Sequence, residues 1–346
     1  MHDFFIPIAF PCKEPSPETI TVLAADSGGT KTHLALFEVK NGSFFILRET
    51  IYKSADWKSF TDMVLDFGVA DLRPDRLSFA VAGPVQDGQV QMTNLDWLID
   101  SRELSERTGV ADVFLINDLK AIAYGLAALK TEDLVAIYSP KNRQAGNAAI
   151  IAPGTGLGEA GLFWDGKELH PFDTEGGHTD FASRSKLDDE LFYVLQNRYG
   201  HVSWERVVSG MGIATIYDFL RDQKRMDEPE WLREKILQKG DKSGAIGEAA
   251  KEGCPICVET IRLFIHYLAV EASNLALKMK CTGGLFIGGG IPPKVWTAAL
   301  QEYFLEHFFQ VGRLRPLVEA MPIFLITNQQ TALMGAAYFG AFGKAD

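Results

Sequence analysis

The stretch LAADSGGTKTHLALFEV, Leu23 to Val39, ends one apolar run at an aspartate, bends through two glycines and a Thr-Lys-Thr, and starts a second apolar run at once. Two such runs joined by a short bend predict an antiparallel hairpin. The bend has two readings. In one it is a plain turn, whose glycines supply φ > 0 at no steric cost. In the other, Gly28 and Gly29 let a phosphate approach the backbone N–H groups. Thr30, Lys31 and Thr32 then add hydroxyls and a cation, and Asp26 holds a metal ion. Successive backbone N–H groups make such an anion nest.

Outward from the bend, residues 20–26, 32–39 and 43–52 read as three strands of an antiparallel meander. Residues 56–68 follow with helical spacing and stop at a glycine. RLSFAVAGPV and VADVFLIND read as buried strands joined through the polar helix DSRELSERTG, which argues a parallel pair. The theme then returns. NAAIIAPGTGLGEAGLFWDGKELH is again strand, glycine-rich bend, strand and turn, and GLFIGGGIPPK is a further strand running into glycines. The repetition suggests an internal duplication of one unit. Helical segments are expected at 186–199, 206–222, about 245–280 and 293–309, and in the closing TALMGAAYFGAF. The aromatic residues of 293–309 read as core or as a dimer interface, with core the better fit.

With 346 residues the chain exceeds one ordinary core, so two domains are expected. Apolar residues make up 47 % and charged residues 23 %, a soluble globular composition. A net charge of −11 without a basic cluster argues against a nucleic-acid partner. No run approaches the ~18 apolar residues of a membrane helix, so no membrane partner is expected. Residues 1–19 lack a basic start and are interrupted by Pro7, Pro11 and Pro15, which reads as an irregular extension and not a signal peptide. Cys12, Cys254, Cys257 and Cys281 include one lone CxxC, CPIC, without a second pair at zinc spacing. Reduced cysteines in a helix start and a core fit a cytoplasmic protein.

Four further stretches carry chemistry. GTGLG, Gly154 to Gly158, is no Walker loop, and a strand-like run follows it where a dinucleotide fingerprint needs a helix. It is a hairpin turn or, paired with DSGGTKT, the second of two grips on a triphosphate. FLIND puts Asn117 and Asp118 at the carboxyl end of a parallel strand, where ligands bind in open α/β sheets. Asp118 there can accept the proton of a substrate hydroxyl, and Asn or Asp can cap the next helix. In DTEGGHTDFA, Glu175 and His178 flank Gly-Gly and can converge on a small polyol, or lie in a surface loop. Glu205 in SWER reads as part of a capped helix start. Asn94 and Trp97, in AGPVQDGQVQMTNLDW, line a pocket or merely turn the chain.

Taken in order, ADSGGTKTHLALFE, AGPV…MTNLDW, LINDLKAIA, IIAPGTGLGEA, EGGHTDFA, GHVSWERVVSGMG and GGLFIGGGIPPK resemble the bacterial glucokinase family, over about residues 20–340. The resemblance implies two ribonuclease-H-like α/β domains of the actin/hexokinase type with a cleft between them. It divides the chain into an extension 1–19, a small domain of 20–128 plus 326–346, and a large domain of 129–325. It implies ATP-dependent phosphorylation of D-glucose to glucose 6-phosphate, or of another hexose or N-acetylhexosamine on the same fold. A non-catalytic sugar sensor would need a DNA-binding helix-turn-helix, for which residues 1–19 are too short. Asn117, Asp118, Glu175, His178 and Glu205 become the glucose-binding set, with Asp118 as catalytic base and Asn94 as an added sugar contact. Asp26 would orient Mg²⁺ through water. Gly28, Gly29, Thr30 and Lys31, with Gly154, Thr155 and Gly156, would hold the phosphates of ATP, and Gly289 and Gly290 would lie by the adenosine. The resemblance favours a homodimer. Leu95-Asp96 departs from the more polar residues expected there, and the cysteine-rich zinc signature of the related repressor/kinase group is missing, which favours the zinc-free branch.

Overall fold

A computed structural model describes residues 6–9, 19–40, 43–92 and 95–343. The meander forms as expected. Strands β1 (Thr19–Ser27), β2 (Lys31–Lys40) and β3 (Ser43–Lys53) pair antiparallel in chain order. β1 and β2 bury their central residues, from Val22 to Ala25 and from Leu34 to Phe37, because both faces of this part of the sheet are covered. β4 (Arg76–Val81) adds parallel to β1, the short ribbon of β5 (Gln89–Gln91) and β6 (Leu98–Asp100) follows, and β7 (Asp112–Asn117) adds parallel to β4. The first sheet therefore runs β3-β2-β1-β4-β7.

The second sheet repeats this plan. It contains β8 (Leu134–Tyr138), β9 (Ala148–Pro153), β10 (Leu157–Trp164), β11 (Leu169–Thr174), β12 (Gly284–Ile287) and β13 (Ile323–Ile326), in the order β11-β10-β9-β12-β13-β8. A hairpin leads in, β12 and β13 add parallel to β9, and β8 closes the edge antiparallel. The same strand sequence in both sheets is the duplication that the two glycine-rich hairpins suggest.

The chain divides into two compact units. One comprises Met1–Asp133, Lys167–Asp173 and Asn328–Asp346, the other Leu134–Gly166 and Thr174–Thr327. In the first, the C-terminal helix Thr331–Phe342 packs on the Asp118–Gly125 helix and on β1 and β4. Its Gly335 and Gly340 admit the close approach, since an added Cβ at Gly335 would overlap the Ala121 carbonyl. In the second, the long helix Pro255–Met279 is the spine of the core and buries most of its length.

Helix boundaries moved where caps decided them. The helix expected over 56–68 is only Phe60–Asp66, started by Ser59, whose hydroxyl accepts the Asp62 N–H. The one expected from 206 starts at Gly210 behind Ser209. The segment about 245–280 is two helices, Lys242–Lys251 and Pro255–Met279, broken at Gly253 with φ 87° and restarted by Pro255. The 293–309 segment splits into Pro292–Val295 and Ala298–Phe308, with Phe304 and Phe308 fully buried. Cys254 and Cys257 sit at the start of the long helix, and with Cys281 they are buried free thiols. Burial pushes the Cys257 and Cys281 thiols far above their ordinary value, so they are inert. No single helix among the described residues is long and apolar enough to cross a membrane.

Candidate active site

In the first unit the carboxyl ends of three parallel strands line up. Ser27 pairs with Val81, and Val81 with Asn117, so Asp26 and Asp118 both lie at this end of the sheet. Asp26 stands opposite His33 of β2. Burial pushes the Asp26 carboxyl above its ordinary value, while the charges of Lys31 and His33 pull it back. The His33 ring is in turn held by Glu49, at 2.9 Å.

The bend between β1 and β2 is pinned from behind. The Ser54 hydroxyl donates to the Gly28 carbonyl at 2.9 Å, and the Ser54 N–H to Thr30 at 3.1 Å. Neither Gly28 nor Gly29 takes a left-handed φ, so the turn-glycine argument does not apply here. An added Cβ at Gly28 would meet the Lys31 carbonyl at 3.2 Å, a tight approach and not a strained backbone. Thr30 and Lys31 are exposed at the tip. Thr32 is not: it is fully buried, and its hydroxyl faces Ser27 and Ser54 at 3.3 and 3.1 Å. Thr32 therefore supports the bend from inside and offers a ligand nothing.

Asn117 takes the capping role. Its side-chain oxygen accepts the N–H groups of Leu119 and Lys120 at 2.9 and 3.2 Å, and its amide donates to the Gly83 carbonyl at 3.3 Å. That leaves Asp118 as the first residue of the helix, half-buried, with one carboxylate oxygen accepting the Leu119 N–H at 2.9 Å. Asn94 lies outside the described residues.

In the second unit the GTGLG bend joins β9 to β10, closed by a 2.8 Å hydrogen bond from the Gly154 N–H to Gly156. The N-terminus of the Gly210–Asp222 helix abuts it, its Gly210 N–H donating to the Gly154 carbonyl at 2.9 Å. The glycines after β12 lie on the same strand end. Gly288 donates to Ile151 at 2.8 Å, and Gly289, at φ 81°, passes so close to the Pro153 carbonyl that no Cβ would fit. Gly154 differs from both neighbours. Its φ is not left-handed, and nothing in the protein lies within 4 Å of a Cβ placed there. Packing does not require glycine at 154, so the open backbone is free for a ligand to approach.

The sugar-reading candidates of this unit stand on the first residues of β10. The Leu157 N–H donates to the Glu205 carboxylate at 3.0 Å, and an added Cβ at Gly156 would overlap that carboxylate. Glu205 sits in a single helical turn, Trp204–Arg206, anchored by the buried Trp204 ring against Phe181. The capped start expected at Ser203 is absent, since that side chain makes no cap bond and the helix begins behind Ser209. Glu175 precedes the turn Gly176–His178 and His178 closes it; carboxylate and imidazole stand 4.0 Å apart, both more than half exposed.

One buried acid beside these residues gives no signal of its own in the sequence. Glu159 is an acid inside an apolar strand, and its importance depends on the long helix more than a hundred residues later.

The family model described as Glucokinase matches residues 23–341. A glucokinase of Trichormus variabilis is 40 % identical over 337 residues, covering 92 % of this chain and 98 % of its own. The crystal structure of a glucokinase from an Antarctic psychrotroph superposes with a TM-score of 0.77 at 32 % identity, covering 92 % of this chain and 98 % of that one. A ROK family glucokinase from Streptomyces griseus, in complex with glucose and AMPPNP, shares the fold with a TM-score of 0.65 at 19 % identity, over 92 % of this chain and 99 % of its own. Both structures have the actin-like ATPase fold that the paired sheets display.

Proposed function

The chain belongs to the glucokinase family, and from that premise we propose how its residues carry out the ATP-dependent phosphorylation of glucose. The enzyme is a sugar kinase. Asp118 is the general base. It accepts the proton of the sugar 6-hydroxyl as that oxygen attacks the γ-phosphorus in line, and the bond to the bridging oxygen of ADP breaks. What supports this role is a half-buried carboxylate at the carboxyl end of a parallel strand, held by one backbone N–H, with the capping duty taken by Asn117. Glu175, His178 and Glu205 read sugar hydroxyls, and the family resemblance adds Asn117 and Asn94. A carboxylate accepts two hydroxyl protons in fixed directions and an imidazole supplies one donor or acceptor, which together select a polyol.

Gly28 to Lys31 and Gly154 to Gly156 bind the phosphates of ATP through backbone N–H groups, with Gly289 and Gly290 beside the adenosine. The open Gly154 backbone is the feature that supports this reading. Among the described residues no cluster of three or more His, Cys, Asp or Glu could hold a metal ion. Mg²⁺ keeps most of its waters and takes one carboxylate plus substrate phosphates, a demand that a single Asp26 carboxylate fits. Asp26 would hold it through water, and the ion would offset charge on the transferring phosphoryl group. Domain closure would exclude water, which otherwise competes as acceptor. Each compact unit acts as one domain, the enzyme works in the cytoplasm, and the assembly is a homodimer, which sedimentation at twice the chain mass would test.

Two measurements check this reading. ADP release across a panel of glucose, mannose, fructose and N-acetylglucosamine, with ATP and Mg²⁺, should give the highest kcat/KM for glucose. A higher value for another sugar would reassign the substrate. Gly154→Ala should leave thermal stability and glucose binding unchanged and raise the KM for ATP by about tenfold, as a methyl displaces the phosphate by more than a bond length. An unchanged KM for ATP would remove the bend from nucleotide binding.

A further inference from the structure

Beneath the sugar-reading turn lies a buried acid that the reaction does not use. Glu159 of β10 is 1 % exposed and Glu271 of the long helix 0 %, and the two carboxyls are close enough to act on each other. Two buried carboxyl groups at that range do not both ionise, so one carries a proton. No donor from the rest of the described residues reaches Glu159 Oε1. Glu271 is better supplied: Asn274 donates to it at 2.8 Å, and the Lys278 ammonium stands 3.5 Å away. Arg184 joins the group through Asn274, at 3.2 Å. The proton therefore belongs on Glu159 and the charge on Glu271.

The 174–178 turn is built directly on this acid. The Thr174 hydroxyl donates to the Glu159 carbonyl at 3.0 Å and accepts the Gly176 N–H at 3.2 Å. Gly176 lies flat on the Glu159 carboxyl, where an added Cβ would overlap Oε2, and Gly177 lies on the Leu157 carbonyl with the same lack of room. The N–H of Leu157 holds Glu205. Leu157 and Glu159, two residues apart on one strand, thus carry the turn that bears Glu175 and His178 and hold Glu205 beside it.

We propose that Glu159 is a positioning residue for glucose: its buried carboxyl, with Gly176 lying on it, is the seat that sets Glu175 and His178 in register with Glu205. The proposal rests on the reading that these three side chains bind the sugar. Burial, and then the charge of Glu271, push the Glu159 carboxyl up to about 8, with Lys278 acting in the opposite sense. The groups facing it are Glu271 and Lys278 from the long helix and Gly176 from the turn; Glu175 and His178 are more than half exposed. Because the folded-state value is raised, the seat is intact below about pH 8 and is lost as pH rises through it. Ionised Glu159 would face Glu271 as a second buried anion and be pushed away from it.

The test is the KM for glucose from pH 6.5 to 9.5 in the full-length enzyme. The wild type should show a rise in KM governed by one proton near pH 8, with kcat falling by less. Glu159→Gln, which keeps the size of the side chain but cannot ionise, should match wild type at pH 7 and lose the alkaline rise. Glu271→Gln should move the rise to lower pH, since the neighbouring charge is gone. Glu159→Ala should raise the KM for glucose about tenfold at pH 7, with the KM for ATP unchanged. An alkaline rise that persists in Glu159→Gln, or an unchanged KM in Glu159→Ala, overturns the proposal. Glu175→Gln serves as the separate control. If it leaves the KM for glucose untouched, the sugar-binding assignment itself fails; if it raises that KM while the Glu159 variants do not, only the seat is wrong.

Discussion

Replacing Asp118 by Asn is expected to lower kcat by about 10²- to 10⁴-fold, the usual range for a general base, while glucose still binds within a few-fold of wild type. The variant isolates chemistry from folding. Asparagine keeps the size of the side chain and an oxygen that can still accept the Leu119 N–H, and the helix cap is supplied by Asn117 and stays in place. What disappears is only the capacity to take a proton. Calorimetric titration with glucose and a steady-state rate with saturating ATP separate the two. Turnover close to wild type would show that the hydroxyl loses its proton elsewhere, and Asp118 would be left with a binding role alone.

A second large effect is expected at a residue that touches no substrate. Gly335→Ala should cost roughly 3 kcal/mol, the upper end of overpacking in a tight core, and lower kcat as well. A methyl at 335 would overlap the Ala121 carbonyl and crowd the Gly125 N–H, so the C-terminal helix must move away from the Asp118–Gly125 helix. The reverse contact is equally tight, since a Cβ on Gly125 would overlap the Thr331 carbonyl. Asp118 is the first residue of the displaced helix, which ties the loss of stability to a loss of rate. Thermal unfolding and kcat measured on the same preparation check it. An unchanged melting temperature would mean that the two helices separate at little cost, and would contradict the packing described here.

Much of this was legible in the chain before any coordinates. The 20–26 and 32–39 strands came within a residue or so of Thr19–Ser27 and Lys31–Lys40, because an acid and two glycines interrupt otherwise unbroken apolar runs. The 186–199 helix was read without error, since Ser185 caps it and Gly200 ends it. By contrast β13, IFLI, and β8, LVAIY, went unread: apolar runs of four and five residues carry no period that separates strand from helix. The helix Glu230–Lys239 was also missed, as its charged surface hides a stripe with one fully buried residue, Leu232. At the site, Glu205 looked like a plain helix start. Its link to Leu157 crosses nearly fifty residues of chain, and no local pattern encodes that. Glu159 was hidden for the same reason. Thr32 misled in the other direction, because a hydroxyl beside a glycine bend looks like a ligand group until its burial is known.

The central claim is that Asp118 takes the proton of the 6-hydroxyl of glucose. A crystal structure with glucose and a non-hydrolysable ATP analogue measures this directly. The account predicts an Asp118 carboxylate oxygen within about 3.2 Å of that hydroxyl. A hydroxyl out of reach of Asp118 would contradict it.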